Sequence, residues 1–156
     1  MSGGRRCFLL LAATGIAHRA WAHHGWEAFE QAAPVYLQGP VSTLLWADPH
    51  ATMELVHRPR AEVPGEVRSL QVPPQQADVD IADLLARARV PQGEDRWRIE
   101  LPELARLSAW DVQRPAIGDV IGVLARPGPA YRGSPAARAE VLFIRGRAYP
   151  MRSDPR

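Results

Sequence analysis

After residue 22 the chain holds four histidines, His23, His24, His50 and His57, and no cysteine. A metal there would be held by nitrogen and oxygen, and nitrogen-rich sets favour Cu(II), with zinc or nickel next, over magnesium or calcium. A cut before His23 would free its amine beside its own imidazole. Those two nitrogens can chelate one ion in the manner of a histidine brace, and His24 adds a second imidazole. His50 follows the turn signal Asp48-Pro49, where a side chain at a sheet rim can face an incoming amino-terminal segment. His23, His24 and His50 are therefore the candidate metal ligands, with copper as the cofactor they would suit. The competing reading is a solvated chain end and a His50 that steadies its own turn. His57 shares a strand face with Met53 and Leu55 and reads as a satisfied, partly buried histidine and not a ligand.

The cut itself is predicted by the first 22 residues. Arg5 and Arg6 supply a positive end, residues 7–16 an apolar stretch, and Ala20-Trp21-Ala22 a small-x-small cleavage site. An apolar run of about 10 residues is far short of the roughly 20 that span a bilayer, so no stable membrane insertion is expected after cleavage. Gly4-Arg5-Arg6-Cys7-Phe8-Leu9-Leu10 resembles the twin-arginine export consensus, and an ordinary secretory leader is the alternative. Either route predicts a periplasmic protein. Until the leader is cut the His23 amine is a peptide nitrogen, so metal would be acquired after export.

Cleavage leaves 134 of 156 residues, a usual size for one domain. The 19 basic residues are all arginine, and three of them leave with the leader. The remaining 16 face 17 acidic residues, so the whole-chain pI of 9.2 gives no basic footprint for nucleic acid or anionic lipid. No mature thiol, Gly-x-Ser-x-Gly elbow or phosphate loop is present, and Asp78, Asp80 and Asp83 are explained by a helix start; no enzyme is expected. Trp46 and Trp97 read as core, and Trp26 as a residue free to shield a site.

Fifteen prolines, all beyond residue 33, break long helices and mark turns between short strands, so the fold should be mainly β. A first strand is predicted over 35–46, with Val35, Leu37, Val41 and Leu45 on one face and a bulge or bend at Gly39-Pro40. A second covers 51–57, and the clearest half-buried strand places Trp97, Ile99 and Leu101 opposite Arg96, Arg98 and Glu100. Residues 120–125 form an apolar strand, and 137–144 pairs with 148–152 across Arg145-Gly146-Arg147. One or two short helices are expected, over 81–89 behind the N-cap Asp80 and over 102–110 with Pro102 leading. Residues 58–95 read as an insertion, with 67–72 a further candidate strand. One core should collect Val41, Leu45, Leu55, Trp97, Ile99, Leu101, Val120, Leu124 and Val141.

His23-His24-Gly25-Trp26, Leu37-x-Gly39-x-Val41, Trp46-x-x-Pro49-His50-Ala51, Trp97-x-x-Glu100-Leu101, Gly118-Asp119-Val120 and Arg138-Ala139-Glu140 with Tyr149 together resemble a family of bacterial exported proteins, domain of unknown function 6152. The resemblance covers most of the mature chain except residues 58–95. Asp48, where asparagine is commoner, and Pro40 inside the first strand depart from it. It implies a small closed or partly open β-barrel, OB-like, and no activity. The expected organisation is a signal peptide over 1–22, an amino-terminal segment over 23–34 and one barrel-like domain over 35–152. The expected function is an exported periplasmic module for a small ligand or an envelope protein partner. Copper binding through His23, His24 and His50, or a structural accessory role in an envelope complex, are the alternatives.

Overall fold

The computed structural model describes Phe29, residues 32–93 and residues 95–156. The leader and the amino-terminal residues His23, His24 and Trp26 lie outside this range. Six strands follow one another as β1 (Val35–Leu45), β2 (Thr52–Val56), β3 (Arg96–Glu100), β4 (Val120–Tyr131), β5 (Ser134–Ile144) and β6 (Arg147–Pro150). Three short helices punctuate them: α1 (Gly65–Arg68), α2 (Ile81–Arg87) and α3 (Leu104–Ala109). Among the described residues no helix is long and apolar enough to cross a membrane.

The sheet runs β3-β2-β1-β4-β5-β6, and a further β3–β5 pairing closes its first five strands into a barrel. An odd number of strands cannot alternate direction all the way round, so one neighbouring pair must be parallel. That pair is β3–β5, with Ile99 opposite Ala137, while every other pairing is antiparallel. The ring order β1-β2-β3-β5-β4 with a helix between β3 and β4 is an OB-like barrel, the expected architecture. Two-residue turns at Arg132-Gly133 and Arg145-Gly146 keep φ positive at both positions, the twist that suits a tight hairpin.

Inward residues follow strand alternation: Leu37 and Val41, Met53 and Leu55, Ile99 and Leu101, Ile121 and Val123 are all essentially dry. α3 plugs one end through Leu107 and Trp110. Two bulges reset the alternation. In β1 the register slips between Val41 and Thr43, so the extra residue is Ser42 and not the Gly39-Pro40 pair, which stays in regular register with β4. Beyond the slip the inward parity flips. Leu44 packs on the core and Leu45, expected inside, is 56% exposed. Gly39 marks a different feature, a close crossing in which an added Cβ would stand 1.9 Å from the Val56 carbonyl oxygen. In β5 the slip falls between Ala139 and Val141, opposite Leu124-Ala125, and makes Glu140 the extra residue.

Residues 58–95 cover the outside of the barrel. Val63, Val67, Leu84 and Leu85 pack on the outward side chains Tyr36, Leu124, Val141, Phe143 and Ala148 to form a second core. Leu124 and Val141 are thus buried as expected but in this outer core, and Val120, 56% exposed, joins neither. The candidate strand at 67–72 is instead the end of α1 and irregular chain, because Pro64 opens a helical turn that Ser69 closes. α2 forms as expected, with the Asp80 carboxylate accepting from the Asp83 N–H at 2.9 Å. α3 starts at Leu104 and not Pro102, and its Leu104 N–H donates to Asp48 Oδ1 at 2.9 Å.

Candidate functional site

His50 stands in the loop between β1 and β2, where its neighbours are set by backbone bonds. Ala51 N–H donates to the Pro102 carbonyl at 3.3 Å and Leu101 N–H to the Ala51 carbonyl at 2.9 Å. This brings the end of β3 beside the loop. His50, Glu100, Pro102, Glu103, Arg106 and Arg138 line a cleft of about 50 Å³. His50 is half-buried, and its Nδ1 is buried with no partner among the described residues. Both acids in the cleft are engaged, Glu100 by Arg138 and Glu103 by Arg106 at 3.0 Å. No group of three histidine, cysteine, aspartate or glutamate side chains suited to a metal occurs among the described residues.

His23 and His24 lie outside the described residues. The first described residue, Phe29, is informative. Its ring fills the space above Gly128, where an added Cβ would fall 2.1 Å from Phe29 Cε1, and Arg138 Cζ lies 4.6 Å over the same ring. Arg138 is also the partner of Glu100 in the His50 cleft. Six peptide steps separate His23 from Phe29, a reach of about 20 Å when extended. His57, in contrast, closes the other end of β2, about 20 Å from His50 along a strand. It is fully buried and satisfied: the Gln38 N–H donates to Nδ1 at 3.2 Å, so Nε2 carries the proton and donates to the Pro91 carbonyl at 2.9 Å. His57 pins the start and end of the 58–95 segment, the structural part expected of it.

A second opening lies between the 58–95 segment and the tail, where the sequence offers no candidate ligand-binding residue. Residues 74–77 are clipped to the tail: Gln76 N–H donates to the Asp154 carbonyl at 3.0 Å, Arg156 N–H to the Pro74 carbonyl at 3.3 Å, and Ala77 N–H to Ser153 Oγ at 2.7 Å. Between this clip and α2 lies a partly open cavity of about 390 Å³, walled by Leu70, Val72, Val79, Ile81 and Leu85. Arg68, Gln75, Asp78 and Arg156 are its polar members. Gln75 is 5% exposed, its Oε1 accepts from the Ser153 N–H at 3.1 Å, and its Nε2 is buried without a partner among the described residues. The volume falls in the range of small-molecule pockets, which pair apolar walls with a few placed polar groups.

Among the described residues the tryptophans belong to the barrel core and its edge. Trp110 is buried in the barrel core, and Trp46 and Trp97 are half-buried against it, less enclosed than expected.

The family model for Family of unknown function (DUF6152) matches residues 11–95. The chain belongs to that family. The match spans residues 58–95, the segment read as an insertion, together with the stretch that carries His23, His24 and His50. No curated protein and no solved structure matches the chain.

The buried Glu140 was quoted in the family pattern without a role. The sequence signal was a carboxylate inside the apolar run that follows Ala139. Glu140 is fully buried and accepts from Arg126 Nε at 3.2 Å and from Arg152 through Nε at 3.2 Å and a second nitrogen. Arg126 also donates to the Ala32 carbonyl at 3.1 Å, tying the incoming chain to the barrel. The bulge aims this carboxylate between two guanidiniums, which is a structural duty.

Proposed function

We propose that this protein is an exported small-ligand-binding module of the periplasm, without turnover, freed of its leader by a cut after Ala22. The observation that carries the reading is the cavity of about 390 Å³ between α2 and the 74–77 clip, lined by apolar and polar side chains together, with a buried Gln75 whose Nε2 has no partner among the described residues. An unmet buried donor costs free energy of about 1–3 kcal/mol, and a ligand acceptor would recover it. The fluorescent probe 1-anilinonaphthalene-8-sulfonate should bind the mature protein saturably at one site. Ala82 lines the cavity from α2, so Ala82→Trp should fill it and abolish the signal; an unchanged titration in that variant removes the site. Mass spectrometry of the periplasmic form should give His23 as its first residue, and retention of 1–22 would refute export with cleavage.

A second reading, copper binding through His23, His24 and His50, is favoured by the seat of Phe29 on Gly128 and Arg138. That contact starts the amino-terminal segment beside the cleft in which His50 keeps a free ring nitrogen.

A further inference from the structure

From the cavity's donors we infer its ligand class: a small amphipathic carboxylate, with its chain or ring against Leu70, Val72, Val79 and Leu85 and its carboxylate toward Gln75 and the two arginines. The inference rests on the cavity being a ligand site, and adds the charge of what fills it. The Gln75 amide has its oxygen committed to Ser153, which does not line the cavity, so its nitrogen is turned away from that tail residue. Nε2 has no protein partner among the described residues, so a ligand oxygen that reaches it supplies the missing acceptor. Arg68 reaches the same wall. Its Nε donates to the Val63 carbonyl at 3.4 Å and one amino group to the Leu85 carbonyl at 3.1 Å, which fixes the guanidinium plane. Its other amino group has no protein partner among the described residues. The Arg156 side chain adds a second cation at the mouth, against one anionic side chain, Asp78.

Three donors against one carboxylate select an anion with a bidentate face over an alcohol or an amine. Leu70, Val72, Val79, Ile81 and Leu85 favour an apolar tail on that anion, which a bare phosphate or a sugar acid lacks. Arg68 and Arg156 are exposed, so their attraction is screened by salt while the Gln75 contact is not.

The test uses three probes of one length: octanoate, its neutral isostere octanamide, and octylamine, titrated calorimetrically into mature protein. Octanoate should bind at least about tenfold more tightly than octanamide, a gap worth about 1.4 kcal/mol, and octylamine should be weakest. The octanoate advantage should shrink as salt rises. Gln75→Glu keeps the acceptor that holds Ser153 and puts a negative charge where the donor was. It should lose octanoate by tenfold or more yet still take up octanamide, which shows that the variant is folded; Arg68→Gln should lose octanoate by a smaller factor. Octanamide or octylamine binding as tightly as octanoate would overturn the carboxylate assignment and leave the cavity as a site. Failure of all three probes, with an Ala82→Trp variant that binds the naphthalene probe like wild type, would overturn both.

Discussion

Residues 121–125 of β4 and 139–144 of β5 are dry on both faces, and the two faces are built in different ways. The inward face meets residues brought in by strand pairing, and its members follow a period of two wherever no bulge intervenes. The outward face meets Val63, Val67, Leu84 and Leu85, which come from helical turns and irregular chain held by caps, prolines and the clip to residues 153–156. Continuous strand pairing makes the first face; side-chain burial tied down by isolated backbone bonds, such as Tyr36 N–H to the Arg89 carbonyl, makes the second. That difference explains why the candidate ligand cavity lies in the outer layer. A closed five-stranded barrel fills its interior with its own side chains, whereas a layer of short segments laid on a sheet leaves room at its seams.

The largest expected effect lies where the two faces exchange parity, at the β5 bulge. Glu140→Gln replaces a fully buried carboxylate between Arg126 and Arg152 by a neutral amide. Losing the charged partner of a buried pair costs several kcal/mol, and the partial exposure of both arginines brings the expectation to about 3 kcal/mol. Chemical denaturation of wild type and variant measures it. A loss below about 1 kcal/mol would mean that the two guanidiniums find enough water to be indifferent to their anion.

Matched truncations in the two layers come next. Ile99→Ala in the barrel and Leu84→Ala in the outer core each remove a dry aliphatic side chain and should cost about 2–4 kcal/mol. They should differ in cooperativity. Ile99→Ala should shift one global transition. Leu84→Ala should also raise hydrogen exchange selectively in residues 63–90, because that layer has no strand ladder of its own. Uniform exchange in both variants would show that cover and barrel open as one unit.

The third effect is a pH dependence confined to the outer layer. Burial pushes the Tyr36 phenol up to about 12, ahead of the opposing pull of Arg60 and a further rise from Glu66. Its unfolded value is about 10. A folded pKa above the unfolded one means that the stability contribution is complete below pH 10 and is lost as pH rises toward 12. The loss should be on the order of 2 kcal/mol. Thermal melts at pH 9 and pH 11.5 should show a drop in wild type that Tyr36→Phe largely removes; an equal drop in both would place the alkaline sensitivity elsewhere.

The barrel was more legible than its cover for the same physical reason. Alternation of Trp97, Ile99 and Leu101 against charged residues reports a half-buried strand directly, and the 120–125 run reports a strand covered on both sides without saying by what. The β4–β5 hairpin was half hidden. The strand expected over 120–125 continues to Tyr131 through Pro127 and Pro129, which are tolerated because they lie past Ala125, where pairing with β1 ends and β4 has lost one neighbour that would need an N–H. Bulges carry no sequence mark strong enough to place them, so Leu45 was assigned to the wrong face and Glu140 was given no role. Of the candidate site, His50 at the rim was legible from Asp48-Pro49. The cavity was not, because Arg68, Gln75 and Arg156 come together only through a tail clip about 80 residues removed in sequence.

The smallest expected stability change is at His50, and it separates the two proposed functions. Its Nδ1 is buried without a partner among the described residues, so His50→Ala removes a desolvated group as well as packing, and the net change should stay within about 0.5 kcal/mol. In the ligand-binding reading nothing else follows: octanoate affinity is unchanged, since the cavity and the rim cleft share no lining residue. In the copper reading the mature protein binds one Cu(II), and that binding raises the melting temperature, because an ion that binds only the folded chain adds its binding free energy to stability. His50→Ala should then remove most of the thermal shift, although the His23 amine and imidazole still chelate the ion, since a chelate on the terminus alone does not distinguish folded from unfolded chain. His23→Ala should weaken binding itself, and in wild type binding should fall with pH as amine and imidazoles protonate. A Cu(II) melting shift of equal size in wild type and His50→Ala would detach His50 from the metal and leave the rim cleft to its salt bridges.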